Sequence, residues 1–242
     1  MKIKVLTLFL TLVLSVAITG RGMAETQPEP SDELTALGEK VYQRECSVCH
    51  GDQGQGDGEA AYLLFPKPRD FTYGTFKVRS TPSGEPPTDQ NLFQTITKGL
   101  PGSAMPGFSF LSEEERWGLV YHVKMLAQID FKPESVVEVP EGIERTFSSV
   151  AAGRELYRKL KCWECHGVEG EGDGPSAYTA VDDWGFPAPP NDFTRGVYKG
   201  GGEDGDIYLR FTTGMDGTPM PSFDASTSTE ERWALVHYVK SL

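Results

Sequence analysis

Four cysteines and four histidines are all that the 242 residues provide. Disulfides are the default expectation for cysteines of an exported protein, but the four here fall into two close pairs, Cys46/Cys49 and Cys162/Cys165, whose spacing argues for something else. Apolar residues make up only 38% of the chain, while Gly (27) and Pro (17) are plentiful. Such a chain is loop-rich with a thin protein core, and something other than side chains fills part of each interior. No long apolar run follows residue 24, which excludes a later membrane-spanning helix of about 20 apolar residues. Strand-like alternation is missing as well, so the fold class expected is all-α. Positive charge is short: 23 Lys and Arg stand against 35 Asp and Glu, for a formal net charge of −12. That balance repels nucleic acid and anionic membrane surfaces.

The one long apolar run, Val5 to Ile18, is broken only by Thr7, Thr11 and Ser15. Lys2 and Lys4 precede it, and Gly22-Met23-Ala24 follows as a small-x-small cleavage site. Residues 1–24 therefore read as a signal peptide, and the chain as exported to the bacterial periplasm or an equivalent compartment. An uncleaved anchor is the alternative, and with it the only membrane contact expected other than through a partner. No Cys follows the run, which excludes a lipoprotein anchor. Without Lys2, Lys4 and Arg21, 20 basic groups face 35 acidic ones. Electrostatic steering then favours a partner with a basic or otherwise complementary surface.

The order of features repeats. Cys46-Ser47-Val48-Cys49-His50 returns as Cys162-Trp163-Glu164-Cys165-His166, a shift of 116. A Gly-rich run follows each copy, Gly51 to Gly58 and Gly167 to Gly174. Gly38 and Tyr42 match Gly153 and Tyr157, and Asp70-Phe71-Thr72 matches Asp192-Phe193-Thr194. Met105-Pro106 matches Met220-Pro221, and Glu114-Glu115-Arg116-Trp117 matches Glu230-Glu231-Arg232-Trp233. The chain is a duplicated domain, with halves over 31–131 and 145–242 and a Pro- and Glu-containing linker over 132–144.

Each half follows the same plan. A helix over Ser31 to Glu45, capped by Ser31 or Asp32, precedes the first Cys pair. Short helices are expected over Thr88 to Thr97 and Asp204 to Thr213, ended by Gly99 and Gly214. Last helices are expected from Ser112, with three Glu in the first turn, and from Thr229 to Leu242. Loops this long are unusual in a compact domain unless they serve a function; wrapping a large apolar cofactor is such a function.

C-x-x-C-H is the attachment signature of c-type haem. Two thiols three positions apart reach the two vinyl groups of one porphyrin, and the adjacent His supplies an axial nitrogen. Cys46, Cys49, Cys162 and Cys165 are thus the expected attachment residues for two covalent haems, with His50 and His166 as iron ligands. A redox dithiol or a zinc site would also use C-x-x-C. The first belongs in a βαβ context, which is absent; the second leaves a His after each pair and a duplicated Met unexplained. Of six Met, only Met105 and Met220 occupy equivalent places, each in a Pro-bounded loop before the last helix. They are the expected sixth ligands, closing the iron as in electron-carrier cytochromes. His122 and His237 do not match each other in the repeat and are expected to be ordinary residues of the last helix.

On these residues each half resembles a class I cytochrome c domain, and the whole is similar to the tandem dihaem cytochromes c. The resemblance implies a few helices with long loops round each haem, and single-electron transfer between periplasmic or membrane-bound redox proteins. It equally fits an electron-transfer subunit of a larger respiratory or dehydrogenase complex. A dihaem peroxidase-type enzyme fits less well, since the paired Met loops leave no open iron; the expectation is a carrier. The resemblance further implies that Gly38 and Tyr42 pack against Trp117 or Tyr121, and Gly153 and Tyr157 against Trp233 or His237. It implies that His50 donates to the carbonyl of Pro66 or Pro68, and His166 to that of Pro187 or Pro189. Arg69, Lys77 and Arg79 are expected near the propionates of the first half, where Asn191 replaces Arg69 and Lys199 matches Lys77 in the second.

Overall fold

The computed structural model describes residues 27–242; the signal peptide expected over residues 1–24 lies outside them. Among the described residues there are eight α-helices and four short 3-10 turns, with an isolated bridge between Val181 and Pro187 in place of any strand. The chain is all-α. The first half holds α1 (Asp32–Glu45), α2 (Ser47–His50), α3 (Asp89–Lys98) and α4 (Glu113–Ala127). The second repeats the order with α5 (Phe147–Lys159), α6 (Trp163–His166), α7 (Asp204–Thr213) and α8 (Thr229–Val239). No described helix is long and apolar enough to cross a membrane.

Local chemistry sets the helix ends. Ser31 Oγ accepts from the Leu34 N–H at 3.1 Å and caps α1. Thr88 with Asn91, Ser112 with Glu115 and Ser228 with Glu231 form capping boxes, each satisfying two N–H groups that the helix leaves free. Gly99 and Gly214 end α3 and α7. α8 stops short of the expected Leu242, because the Ser241 N–H turns back to Tyr238 O, three residues away, at 2.8 Å.

Each half is built on the crossing of its first and last helices, α1 on α4 and α5 on α8. A Cβ added at Gly38 would lie 1.9 Å from Gly118 O, and one at Gly153 would lie 2.0 Å from Ala234 O. Tyr42 then meets His122, with ring centroids 4.9 Å apart, and Tyr157 meets Tyr238 at 5.3 Å. This corrects the expected pairing of the tyrosines with Trp117 or Tyr121, and with Trp233 or His237. Residues 118 and 122 are one turn apart and share the face of α4 that α1 crosses. Trp117 lies on the neighbouring row and stacks on Phe93 of α3 at 4.4 Å; Trp233 likewise meets Tyr208 of α7 at 4.8 Å. His122 and His237 are buried packing residues; His237 Nδ1 lies 2.8 Å from Ser149 Oγ.

The helix-free segment 132–144 lies along both halves. The Val137 N–H donates to Ser80 O at 2.7 Å, and Gly142 packs against the Trp233 ring. The halves also touch directly: Arg79 pairs with Asp216 at 2.7 Å and donates to Thr213 O at 2.8 Å.

Gly38→Ala should destabilise the protein by about 3 kcal/mol, the upper part of the usual range for overpacking, because a carbonyl of a packed helix cannot retreat. Urea or thermal unfolding checks this; wild-type stability would mean the helices do not cross at Gly38.

Candidate functional site

The Cys46 N–H donates to Tyr42 O at 2.8 Å, so the first cysteine closes α1. The single turn of α2 then presents Cys49 and His50. Gly51, with φ 77°, turns the chain away, in a left-handed region that favours glycine. Tyr42 Oη–H donates to Gly51 O at 2.7 Å and ties this turn to the helix crossing. The second half repeats the geometry: Tyr157 Oη–H donates to Gly167 O at 2.7 Å, and Gly167 has φ 79°.

His50 Nδ1 lies 2.9 Å from Arg69 O, and His166 Nδ1 lies 3.0 Å from Asn191 O. A carbonyl oxygen only accepts, so the proton sits on Nδ1 and Nε2 keeps its lone pair. The acceptors are not the expected Pro66, Pro68, Pro187 or Pro189, but the residues after Pro68 and Pro190. The reason is the turn that follows. Asp70 Oδ1 accepts from Thr72 N at 2.8 Å and Thr72 Oγ1 at 2.6 Å, opening a 3-10 turn, and Asp192 does the same for Thr194. This turn lays Phe71 on the His50 ring, centroids 4.5 Å apart, and Phe193 on His166 at 4.4 Å. Burial pushes both histidines below their ordinary pKa, which favours the neutral ring.

The Met loops are also copies. The Leu100 N–H donates to Met105 O at 3.1 Å and the Met215 N–H to Met220 O at 3.0 Å. Ser103 and Thr218 hydroxyls close the two turns onto Leu100 O and Met215 O. Met215 thus stands in the register of Leu100, which accounts for a methionine that has no methionine partner in the first half.

Cys46, Cys49, His50 and Met105 line one cavity of about 530 Å³ in the first half, within the range of roughly 300–1,000 Å³ common for cofactor sites. Its walls are mostly apolar, with Leu92 and Ile96 from α3 and Val123 from α4. In the second half, Cys162 and Met220 pack on one apolar core. The cavity that Met220 lines, about 420 Å³, lies against the first half and does not include Cys162, Cys165 or His166.

The thiols are all free. Burial pushes Cys46 and Cys162 up to about 12 and raises Cys165 as well. A reactive redox dithiol needs the opposite shift. Among the described residues no group of three or more His, Cys, Asp or Glu converges on a metal position, so a zinc site spanning the pairs lacks its ligands. Free thiols, a neutral His with an available Nε2 and an apolar cavity fit a covalently attached haem.

Arg69 and Lys77 line the first cavity as expected, but Arg79 does not; it is drawn to Asp216 and Thr213 of the second half. Lys199 lines the first cavity although it belongs to the second half. Trp184 lies in the loop where the second half is longer, its ring 4.1 Å from the Arg69 guanidinium. An unmatched loop carries no repeat signal, and the repeat places Lys199 only within its own half, so neither contact was accessible from the sequence.

The family described as cytochrome c matches residues 150–242, and the family described as cytochrome c oxidase, cbb3-type, subunit III, matches residues 33–123. No curated protein matches the chain. Among solved structures, the chain is similar to one in the reducing HAO-like protein complex of Kuenenia stuttgartiensis. The two are 47% identical, with a TM-score of 0.84, over 88% of this chain and 99% of that one.

Asp70→Ala and Asp192→Ala should each cost about 1 kcal/mol, as for loss of a capping carboxylate. Chemical denaturation of the two variants checks it; a clearly unequal pair of losses would show that the two turns do not carry the same load.

Proposed function

The chain belongs to the tandem dihaem cytochromes c, two cytochrome c domains in one polypeptide, and from that premise we propose a one-electron carrier with a His/Met-ligated haem in each half. Cys46 and Cys49 hold the first haem through thioethers, and Cys162 and Cys165 the second. With haem bound, His50 and Met105 would be the protein ligands of the first iron, and His166 and Met220 those of the second. When bound, the haem iron supplies a ferric/ferrous couple. The observation that carries this reading is that Cys46, Cys49, His50 and Met105 line one apolar cavity, on a backbone that the second half repeats bond for bond at its own His and Met.

The residues have distinct tasks. The Arg69 and Asn191 carbonyls hold the Nδ1 proton, which fixes the tautomer and aims the free nitrogen. Phe71 and Phe193 restrict rotation of the rings. Leu92, Ile96 and Val123 keep water from the centre, which tunes its potential. The matching Met loops would leave neither iron without a methionine ligand, which supports a carrier over a catalyst. Because Arg69 is replaced by Asn191, the two sites carry different charge and should titrate with two potentials. The C-x-x-C-H motifs and the leader expected over residues 1–24 support an exported, periplasmic protein.

One observation favours a bound subunit over a free shuttle. The similar chain is part of a reducing HAO-like protein complex, so the partner we propose is a larger redox protein held in stable association. Phe110 and Val48, both exposed and both lining the first cavity, give an apolar rim for that contact.

The ferric protein should show the weak far-red band of Met-to-iron ligation at two haems per chain. Met105→Ala should remove part of it, and the double variant with Met220→Ala all of it; an unchanged spectrum would sink the ligand assignment. In size-exclusion of a native extract, haem carried by this chain should elute with a larger protein, whereas elution at the mass of the chain alone would favour a free shuttle.

A further inference from the structure

Three cations drawn from both halves line the first cavity, while the carboxylates nearest to them, Asp70, Asp182, Asp183 and Asp216, lie outside its lining. Arg69 and Lys77 of the first half and Lys199 of the second line the same cavity. Lys77 and Lys199 are equivalent in the repeat, so the duplication has brought two like charges close together. Burial, then Arg69, then Lys199 push Lys77 down to about 8, and burial lowers Lys199 as well. Behind them the Arg79 side chain is 0% exposed and pairs with Asp216 at 2.7 Å, yet its Nη1 has no partner. Arg210 of α7 donates to the carbonyls of Lys77 and Arg79, and its buried Nε is unpartnered. Arg69 Nη2 is buried and unpartnered too. Arg79 and Arg210 keep Asp216 and backbone acceptors, whereas Arg69 lines the cavity and its unpartnered Nη2 would be satisfied by an anion bound there.

A porphyrin bound in this cavity brings such anions, the two propionate carboxylates on its edge. We propose that the carboxylate edge of the first half's haem is bound across the junction, with Lys199 of the second half completing a cradle begun by Arg69 and Lys77. This rests on the haem reading given above. The first site is then incomplete without the second half. The bound edge ties the halves together, and a residue of one half sets the potential of the other. A cation beside the haem disfavours the ferric state, whose charge is one unit more positive, so it raises the midpoint potential.

The test uses the full holoprotein. Haem content of two per chain in the wild type establishes the underlying reading separately; one or none would defeat that reading rather than this one. Optical redox titrations then follow both sites, the first identified by its displacement in Met105→Ala. Lys199→Gln should lower the midpoint potential of the first-half site, with or without a change at its own. Lys199→Arg should keep it near wild type, and Lys159→Gln, an exposed charge of α5 outside the cavity, should move neither. Should Lys199→Gln fail to fold, Lys199→Met serves, expected to lower the same potential. A first-half potential unmoved by Lys199→Gln, a shift confined to the second-half site, or a Lys199→Arg protein behaving like Lys199→Gln would overturn the proposal.

Discussion

At Gly38 and Gly118 two helices approach so closely that no side chain fits between their backbones, and Gly153 repeats that approach against Ala234. The contact fixes where α1 and α5 point, and therefore where their C-terminal ends deliver the cysteines. Tyr42 and Tyr157 carry the frame one step further by donating to Gly51 O and Gly167 O, the first residues after the two motif histidines. From there the Gly-rich run returns to Phe71 and Phe193, which lie on the histidine rings. The site is thus an extension of the helix crossing rather than a loop added to it.

A low apolar content and a cavity of about 530 Å³ belong to the same physical account. Side chains alone do not fill the first half, and the walls they provide are apolar. Such an interior is completed by a large apolar group. The cysteines fit this view: all four are half-buried, and burial raises the pKa of Cys46, Cys162 and Cys165, the opposite of what a reactive redox thiol needs.

The halves are alike in backbone and unlike in charge. Histidine acceptors, Asp-capped turns and Met loops recur with nearly equal distances. Arg69 against Asn191, and the longer loop bearing Trp184, break the symmetry at the junction. Two copies of one backbone design thus stand in different electrostatic surroundings.

Much was legible without coordinates, because it depends on neighbours in the chain. Ser31, Thr88 and Ser112 cap helices through contacts three residues away, Gly99 and Gly214 end them, and C-x-x-C-H is complete within five positions. The repeat even separated Met105 and Met220 from the other methionines, and the structure gives their loops the same hydrogen bonds. The tyrosine partners were misplaced by one residue, since the face of α4 that α1 crosses is set by how closely the backbones approach at Gly118. The histidine acceptors were misplaced too, since the turn that Asp70 opens decides which carbonyl faces the ring. Sequence by itself determined the duplication, the helices and the residues of each motif, all local or periodic features. Only the tertiary structure decided that Lys199 of one half faces the cavity of the other and that Arg79 turns away from it towards Asp216. Packing of two copies against each other is a long-range balance of burial and charge, and no repeat within one chain encodes it.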